Sequence, residues 1–411
     1  MAAHASAPPT RLSRDRAPSG KAHITVVPDP RALVIVHVPP SSCARVRRQP
    51  CFNRRRGGLD GEQLLFHGVM KITRRTFAAA TAAMSALPAM AQPKPKPIVI
   101  AHRGASGERP EHTLLGYRLA IAEGADFIEP DLVLTKDGHF VVRHENEIAG
   151  TTDVAGRPEF AARKTTKVID GQTITGWFTE DFTLAELKTL RARERLPALR
   201  PGSAKFDGQE QVPTYEEVVN LAKAESKRLG RTVGTYPEMK HPSYFAGLGM
   251  PMERRLADAL KAYGLDSKSA PVFVQCFEVE PLKTIGRLSK ARRVMLVGQG
   301  AAPVDVKSAA GIKAIAAFAE GLGPEWPLIV PVTTDGALSP ATSLVADAHA
   351  AGLAVHPWTV RAENAFLPAK LRKGTAPADH GDVGALYKAL FDTGIDGLFS
   401  DFPGLAVKAR G

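Results

Sequence analysis

From Ile98 onward, short runs of β-branched residues alternate with stretches whose apolar positions recur at helical spacing. The runs predict strands over Ile98–Ala101, Phe127–Asp131, Phe140–His144, Val233–Glu238, Val272–Phe277, Val294–Val297, Leu328–Val332, Ala354–Trp358 and Gly397–Asp401. The helical patterns cover His112–Glu123, Leu184–Arg191, Tyr215–Leu229, Met252–Tyr263, Pro281–Leu288, Ala309–Glu320, Ala341–Ala351 and Val383–Asp392. Strands separated by helices predict an α/β fold with a parallel sheet and right-handed crossovers. Eight or nine such units over about 310 residues fit a TIM (β/α)8 barrel better than a doubly wound sheet.

Two places break the alternation. Between Asp131 and Phe140 there is room only for a turn at Thr135-Lys136-Asp137-Gly138. Between Ala149 and Pro213 lies a long polar stretch with few strong strands and one helix at most. It reads as an insertion, residues 149–213, on a βα loop. Such loops lie on the catalytic face of a barrel, and a loop of this length usually carries function.

Polar residues recur where the predicted strands end. His102-Arg103 follows the first, Glu129 and Asp131 sit on the second, and His144-Glu145 ends the third. Glu238 and Lys240 end the fourth, Gln275 the fifth and Trp358 the eighth. Strand side chains alternate, so Glu129 shares a face with Asp131, and Glu238 with Lys240. In a barrel all of them converge on one mouth. Three carboxylates without a cysteine make a hard oxygen site, suited to Mg²⁺ or Ca²⁺ rather than zinc. Two histidines offer an acid and a base near neutral pH. Arg103 and Lys240 would clamp an anion. Together these groups suit cleavage of a phosphate ester. Taken singly, each has a plainer reading: Glu238 with Lys240 as an ion pair, each histidine as a structural hydrogen-bonder.

Other chemistries lack their motifs. No G-x-x-x-x-G-K-[ST] loop or G-x-G-x-x-G follows the first strand, and Gly104-Ala105-Ser106-Gly107 is not a nucleophile elbow. Cys276 has Phe273, Val274 and Phe277 on its flanks and reads as a buried strand cysteine.

Charge changes the picture only at the N-terminus. The net charge of +12 comes entirely from residues 1–97, which hold 16 Lys+Arg and 4 Asp+Glu. The remainder holds 38 of each, so the body offers no basic surface for nucleic acid. Cys43 and Cys51 lie in the same leader, leaving Cys276 without an intrachain partner. Residues 1–69, rich in Pro, Arg, Ala and Ser, read as a disordered tail or as sequence upstream of the true start. From Met70, Arg74-Arg75-Thr76-Phe77 precedes an alanine-rich apolar stretch and Ala89-Met90-Ala91. That is a secretory signal over residues 70–91, of twin-arginine type, with Gln92 as the expected first mature residue. Residues 92–97 form a linker, and the domain spans 98–411. The expected location is the periplasm or the exterior, without stable insertion in a membrane.

From Ile98 to about Pro403 the chain resembles the glycerophosphodiester phosphodiesterases. The resemblance rests on Ala101-His102-Arg103-Gly104, Pro110-Glu111-His112-Thr113, Ile128-Glu129-Pro130-Asp131 and the turn leading to His144. Pro237-Glu238-Met239-Lys240, His356-Pro357-Trp358-Thr359 and Asp396-Gly397-Leu398-Phe399-Ser400-Asp401-Phe402-Pro403 follow in the family order. The insertion, with Gly176-Trp177-Phe178-Thr179-Glu180-Asp181-Phe182, looks like that of the exported branch. The resemblance implies a TIM barrel holding one divalent cation, usually calcium in that branch. It implies Glu129, Asp131 and Glu238 as metal ligands, and His102 and His144 as the acid–base pair. Arg103 and Lys240 would bind phosphate, and Trp358 would lie near the glycerol pocket. The implied substrate is a small glycerophosphodiester, cleaved to sn-glycerol 3-phosphate and an alcohol such as choline or ethanolamine.

The chain departs from the family pattern at four places. His112 stands where Asn is usual, Glu145 for Asp, Cys276 for Ser and Arg361 for Asn. These bear on substrate preference and on a polar contact near Arg103. Two alternatives stay open at this point: a phospholipase D-like enzyme on intact lipid, and an inactive barrel used as a surface binding protein. The sequence sets no oligomeric state.

Overall fold

The computed structural model describes residues 95–300 and 304–411. The segment 1–69, the signal 70–91 with its cleavage site, and the first linker residues lie outside the described residues.

Thirteen strands are described: β1 Ile98–His102, β2 Phe127–Glu129, β3 Asp131–Leu134, β4 Phe140–Val142, β5 Thr165–Ile169, β6 Gln172–Gly176, β7 Gly234–Thr235, β8 Glu238–Met239, β9 Phe273–Cys276, β10 Arg292–Val297, β11 Gly321–Pro324, β12 Ala354–Val355 and β13 Gly397–Ser400. Two expected strands are split at Pro130 and Pro237, because a proline has no N–H to give to the ladder. Each pair of fragments, β2 with β3 and β7 with β8, still occupies one barrel position. Parallel pairing runs β13-β1-β2-β7 in one sheet and β12-β11-β10-β9-β8-β3 in the other. Backbone bonds from Phe399 N to Pro357 O and from Val360 N to Phe399 O, both 2.9 Å, join the chain after β12 to β13. This gives the eight positions of a (β/α)8 barrel.

Four expectations need correction. The run Leu328–Val332 is no strand; it follows a 3-10 turn at Trp326–Leu328. The strand in that position is β11, whose Gly-Leu-Gly-Pro sequence reads as a turn. The glycines are needed because neighbours crowd them: a Cβ on Gly323 would stand 2.6 Å from Leu296 Cδ2. Next, β4 runs antiparallel to β3 and lies outside the circuit, so His144 follows a hairpin return rather than a parallel strand. The insertion also holds more than one helix. It contains the β5–β6 hairpin, α-helices Leu184–Leu187 and Pro201–Ala204, and 3-10 turns. Finally, the helix expected from His112 begins at Leu114, where Thr113 accepts a bond from Gly116 N as N-cap.

The helix Tyr215–Leu229 keeps its sequence limits for local reasons. Thr214 and Glu217 form a capping box at its start, and Gly230 ends it in the left-handed region at φ 64°. Its buried face carries Tyr215, Val218, Val219 and Ala222 against the sheet.

The barrel interior has its own small core of Ile100, Tyr236, Phe273, Val294 and Phe399. Tyr236 packs against Phe273 and Phe399 with ring centroids 5.0 Å apart. Burying rings of this size stabilises by roughly 2–3 kcal/mol each. Strand alternation then places the next inward residue of each strand at the mouth. Ile100 is followed by His102, Phe127 by Glu129, Tyr236 by Glu238 and Lys240, Phe273 by Gln275, His356 by Trp358, and Phe399 by Asp401. An aromatic floor therefore supports a charged rim.

Candidate active site

His102, Arg103, Glu129, His144, Glu238, Lys240, Gln275 and Trp358 line one cleft, with a cavity of about 80 Å³. Asp131 lies just beneath it, 1% exposed. All eight site residues expected from sequence are thus brought together.

Register explains the convergence. His102 pairs with Glu129, Asp131 with Glu238, and Glu238 with Gln275 across adjacent strands. One carboxylate oxygen from each of Glu129, Asp131 and Glu238 lies within 4.8 Å of the others. Their surroundings are charged but incomplete. Arg103 N donates to Glu129 Oε2 at 2.8 Å, and Gln275 Nε2 donates to Glu129 Oε1 at 3.0 Å. Lys240 Nζ meets Glu238 Oε1 at 2.7 Å and stands 3.4 Å from Asp131 Oδ1. Asp131 Oδ1 and Gln275 Oε1 are buried without a hydrogen-bond partner. Burial and the neighbouring Asp131 and Glu238 charges push Glu129 well above the usual carboxylate range. Burial, opposed by Lys240, pushes Glu238 up to about 7. At Asp131 the cost of burial is outweighed by Lys240 and the His112 hydrogen bond, which hold it well below that range. Three crowded carboxylates with an orphaned oxygen fit a hard divalent cation.

The histidines flank this cluster. His102 Nδ1 lies 2.6 Å from Asp401 Oδ1, and His144 Nδ1 contacts Glu145 Oε1. A carboxylate only accepts, so the Nδ1 of each ring carries the proton and Nε2 is left to exchange one. Burial and the Arg103 charge lower His102 to about 4, against the pull of Asp401. Burial, then Arg103 and Lys240, lower His144 to about 3. Both rings are therefore neutral at pH 7 in the free protein.

Arg103 sits at φ 60°, a left-handed conformation that turns the chain sharply after β1. Its guanidinium reaches Glu111 Oε2 at 3.2 Å and Asp131 Oδ2 at 3.4 Å. Trp358 donates from Nε1 to Gly323 O at 2.8 Å and meets Phe277 edge-on at 5.5 Å. Cys276 is buried on β9, and burial pushes its thiol up, as expected of an inert strand cysteine.

Other functional candidates received no site role in the sequence reading. His112 donates from Nε2 to Asp131 Oδ2 at 2.8 Å, the oxygen that Arg103 also approaches, and contacts Tyr117 Oη at 2.8 Å, so it orients an acidic ligand candidate beside Arg103. Asp401 could have been found from its place two residues beyond Phe399. Arg361 Nε donates to Asp401 Oδ2 at 2.9 Å. Arg195 and Arg200, both on the insertion, reach Glu145 and Asp401, and nothing in the local sequence marks them.

Residues 102–405 match the sequence profile of the glycerophosphoryl diester phosphodiesterase family. A glycerophosphodiester phosphodiesterase of Arabidopsis thaliana is 36% identical over 329 residues, covering 75% of this chain and 84% of that protein. The Haemophilus influenzae glycerophosphodiester phosphodiesterase is 30% identical over 351 residues, covering 77% of this chain and 90% of that one. Among solved structures, an Oleispira antarctica phosphodiesterase in complex with the product sn-glycerol-3-phosphate superposes with a TM-score of 0.52 at 22% identity, covering 76% of this chain and 96% of that one. That likeness shows the fold. The chain belongs to the glycerophosphoryl diester phosphodiesterase family, enzymes that cleave phosphate diesters.

Proposed function

We propose that the chain hydrolyses small glycerophosphodiesters, such as glycerophosphocholine or glycerophosphoethanolamine, to sn-glycerol 3-phosphate and the free alcohol. The observation that carries this is the placement of His102 and His144 beside the buried triad Glu129, Asp131 and Glu238 in one cleft. The triad would hold one divalent cation, Ca²⁺ first and Mg²⁺ as the alternative. When bound, such a cation supplies Lewis-acid polarisation of phosphoryl oxygens. Arg103 and Lys240 hold the phosphate, and Trp358 walls the glycerol side. One histidine accepts the proton of the neighbouring glycerol hydroxyl as its oxygen attacks phosphorus. The other gives a proton to the alcohol oxygen as its bond to phosphorus breaks. Water then opens the cyclic phosphate with the two roles reversed. The phosphate charge favours the imidazolium form, which raises both rings from their free-protein values toward neutrality.

We also propose that residues 70–91 direct export and that the mature protein begins at Gln92. N-terminal sequencing of exported protein should read Gln92 first; a start at Met1 or Met70 contradicts it.

The test of the reaction compares two substrate classes with the whole chain: soluble glycerophosphocholine and micellar intact lipid. Faster release from the soluble diester supports the proposal. Faster cleavage of lipid would make the enzyme phospholipase D-like. No cleavage of either by folded, metal-loaded protein would leave the surface binding protein.

A further inference from the structure

The two histidines sit at different places in the chain, yet their rear contacts repeat one pattern. Asp401 turns Oδ1 to His102 Nδ1 at 2.6 Å and Oδ2 to Arg200 Nη2 at 2.5 Å. Glu145 turns Oε1 to His144 Nδ1 and Oε2 to Arg195 Nη2 at 2.6 Å. In both cases one carboxylate oxygen faces an imidazole and the other takes a guanidinium from the insertion. The two arginines are five positions apart in sequence.

We propose that Arg195 and Arg200 are positioning residues. Each fixes the carboxylate that sets the tautomer and ring orientation of one acid–base histidine. This rests on the acid–base reading of His102 and His144 given above.

The segment carrying the arginines is built to hold them still. Leu199 N and Arg200 N both donate to Leu196 O, at 2.9 and 2.8 Å, closing a tight turn. Glu194 Oε1 accepts from Leu196 N at 2.8 Å, and Glu194 N donates to Asp207 Oδ1 at 2.7 Å. Arg200 opens the helix Pro201–Ala204 and is 7% exposed. Its Nε donates to Glu363 Oε1 at 2.6 Å and its Nη1 to Ser106 O at 2.9 Å. Arg195 also clamps Glu111 bidentately, at 2.8 and 2.6 Å, and Glu111 in turn contacts Arg103. One rigid turn thus reaches both histidines and the phosphate-side arginine.

The energetics favour orientation over mere stability. A buried arginine–carboxylate pair adds little net stability relative to apolar packing. What it adds is a fixed direction, because a guanidinium binds a carboxylate through a planar fork. An imidazole held this way by a pinned carboxylate loses less freedom on reaching the transition state. At metal sites, loss of an outer contact that orients a ligating side chain typically costs about ten- to a hundred-fold in affinity or activity, and the same scale is expected of these contacts.

The test measures kcat and KM of the whole chain with Arg195→Gln and Arg200→Gln, on glycerophosphocholine and on its p-nitrophenyl counterpart. The expected result is a fall in kcat of about ten- to a hundred-fold with KM changed less than about three-fold. The loss should shrink on the p-nitrophenyl ester for the arginine whose histidine protonates the leaving group, since p-nitrophenolate departs without that proton. Free guanidinium should restore part of the lost rate in Arg195→Gly, whose site is open enough to admit it. Because Arg200 also neutralises buried Glu363, a variant there that fails to fold leaves Arg195, 28% exposed, to decide. Wild-type kcat in a folded Arg195→Gln protein, or a loss confined to KM, would overturn the proposal. Full activity in His102→Ala and His144→Ala would instead overturn the acid–base reading beneath it.

Discussion

The barrel strands and the insertion build the same cleft by opposite means. The strands deliver their groups by periodicity: an aromatic layer of Phe127, Tyr236, Phe273 and Phe399 is followed two residues later by Glu129, Glu238, Gln275 and Asp401. Packing below fixes the rim above. The insertion has no such period. It reaches the cleft through ion pairs, Arg195 to Glu111 and Glu145, and Arg200 to Asp401 and Glu363. Apolar packing tolerates approximate neighbours, whereas a buried guanidinium needs its named partners. Substitutions should therefore separate the two halves by the kind of damage they do.

The largest effect falls on the histidines. His102→Ala and His144→Ala should each lower kcat by about 10²–10⁴-fold with the fold intact by circular dichroism. Steady-state rates on glycerophosphocholine read this, and full activity in either variant would remove it from the acid–base pair. On the strand side, Phe273→Ala opens the barrel floor, where Tyr236 stacks at 5.0 Å. It should cost about 3–5 kcal/mol in urea unfolding. A loss under about 1 kcal/mol would show that the floor does not support the rim.

The floor also makes stability depend on pH. His356 is buried with Nδ1 2.8 Å from Tyr236 Oη, and burial lowers it to about 4. The unfolded chain takes up this proton near 6.5, before the folded one does. The stability it contributes is full above about 6.5 and is lost as pH falls through about 4, to a total of about 3 kcal/mol. Denaturation between pH 7 and 4 should show the decline, and His356→Gln should reduce its slope without abolishing it, since burial lowers His102 and His144 as well. An unchanged slope would place the proton elsewhere.

The smallest effect should be local to the insertion. Glu180 accepts from Asn146 Nδ2 at 3.1 Å, Lys167 Nζ at 2.8 Å and Tyr244 Oη at 2.6 Å, tying the β5–β6 hairpin to the barrel. Glu180→Ala should cost about 1–3 kcal/mol there. Amide exchange over residues 165–176 should quicken while the barrel strands keep their protection. Faster exchange across the whole barrel would mean that the insertion and barrel unfold as one unit.

The same contrast explains what the sequence made legible. Glu129, Glu238 and His102 could be read because strand alternation is local, and a two-residue period survives without knowledge of the fold. Strand β11 could not, because Gly321 and Gly323 were selected by crowding from Val294 and Leu296 across the sheet, a contact that composition hides. Arg195 and Arg200 lie 50 and 201 residues from the carboxylates they pin, so no window along the chain contains both partners. The apolar run of β4 satisfies either direction, and the signal of its reversal lay in the turn Thr135–Gly138, too short for the crossover a parallel strand needs. His112 was noticed as a departure, but its contact with Asp131 depends on the left-handed turn at φ 55° that aims it inward.

The measurement closest to the central claim is release of sn-glycerol 3-phosphate from glycerophosphocholine by the whole chain, first stripped with chelator and then titrated with Ca²⁺ or Mg²⁺. The account predicts no release from the stripped protein. It predicts saturable recovery with added cation, abolished by Asp131→Asn together with Glu238→Gln. Full release in excess chelator would contradict it, because the crowded carboxylates of Glu129, Asp131 and Glu238 would then serve a purpose other than holding a cation.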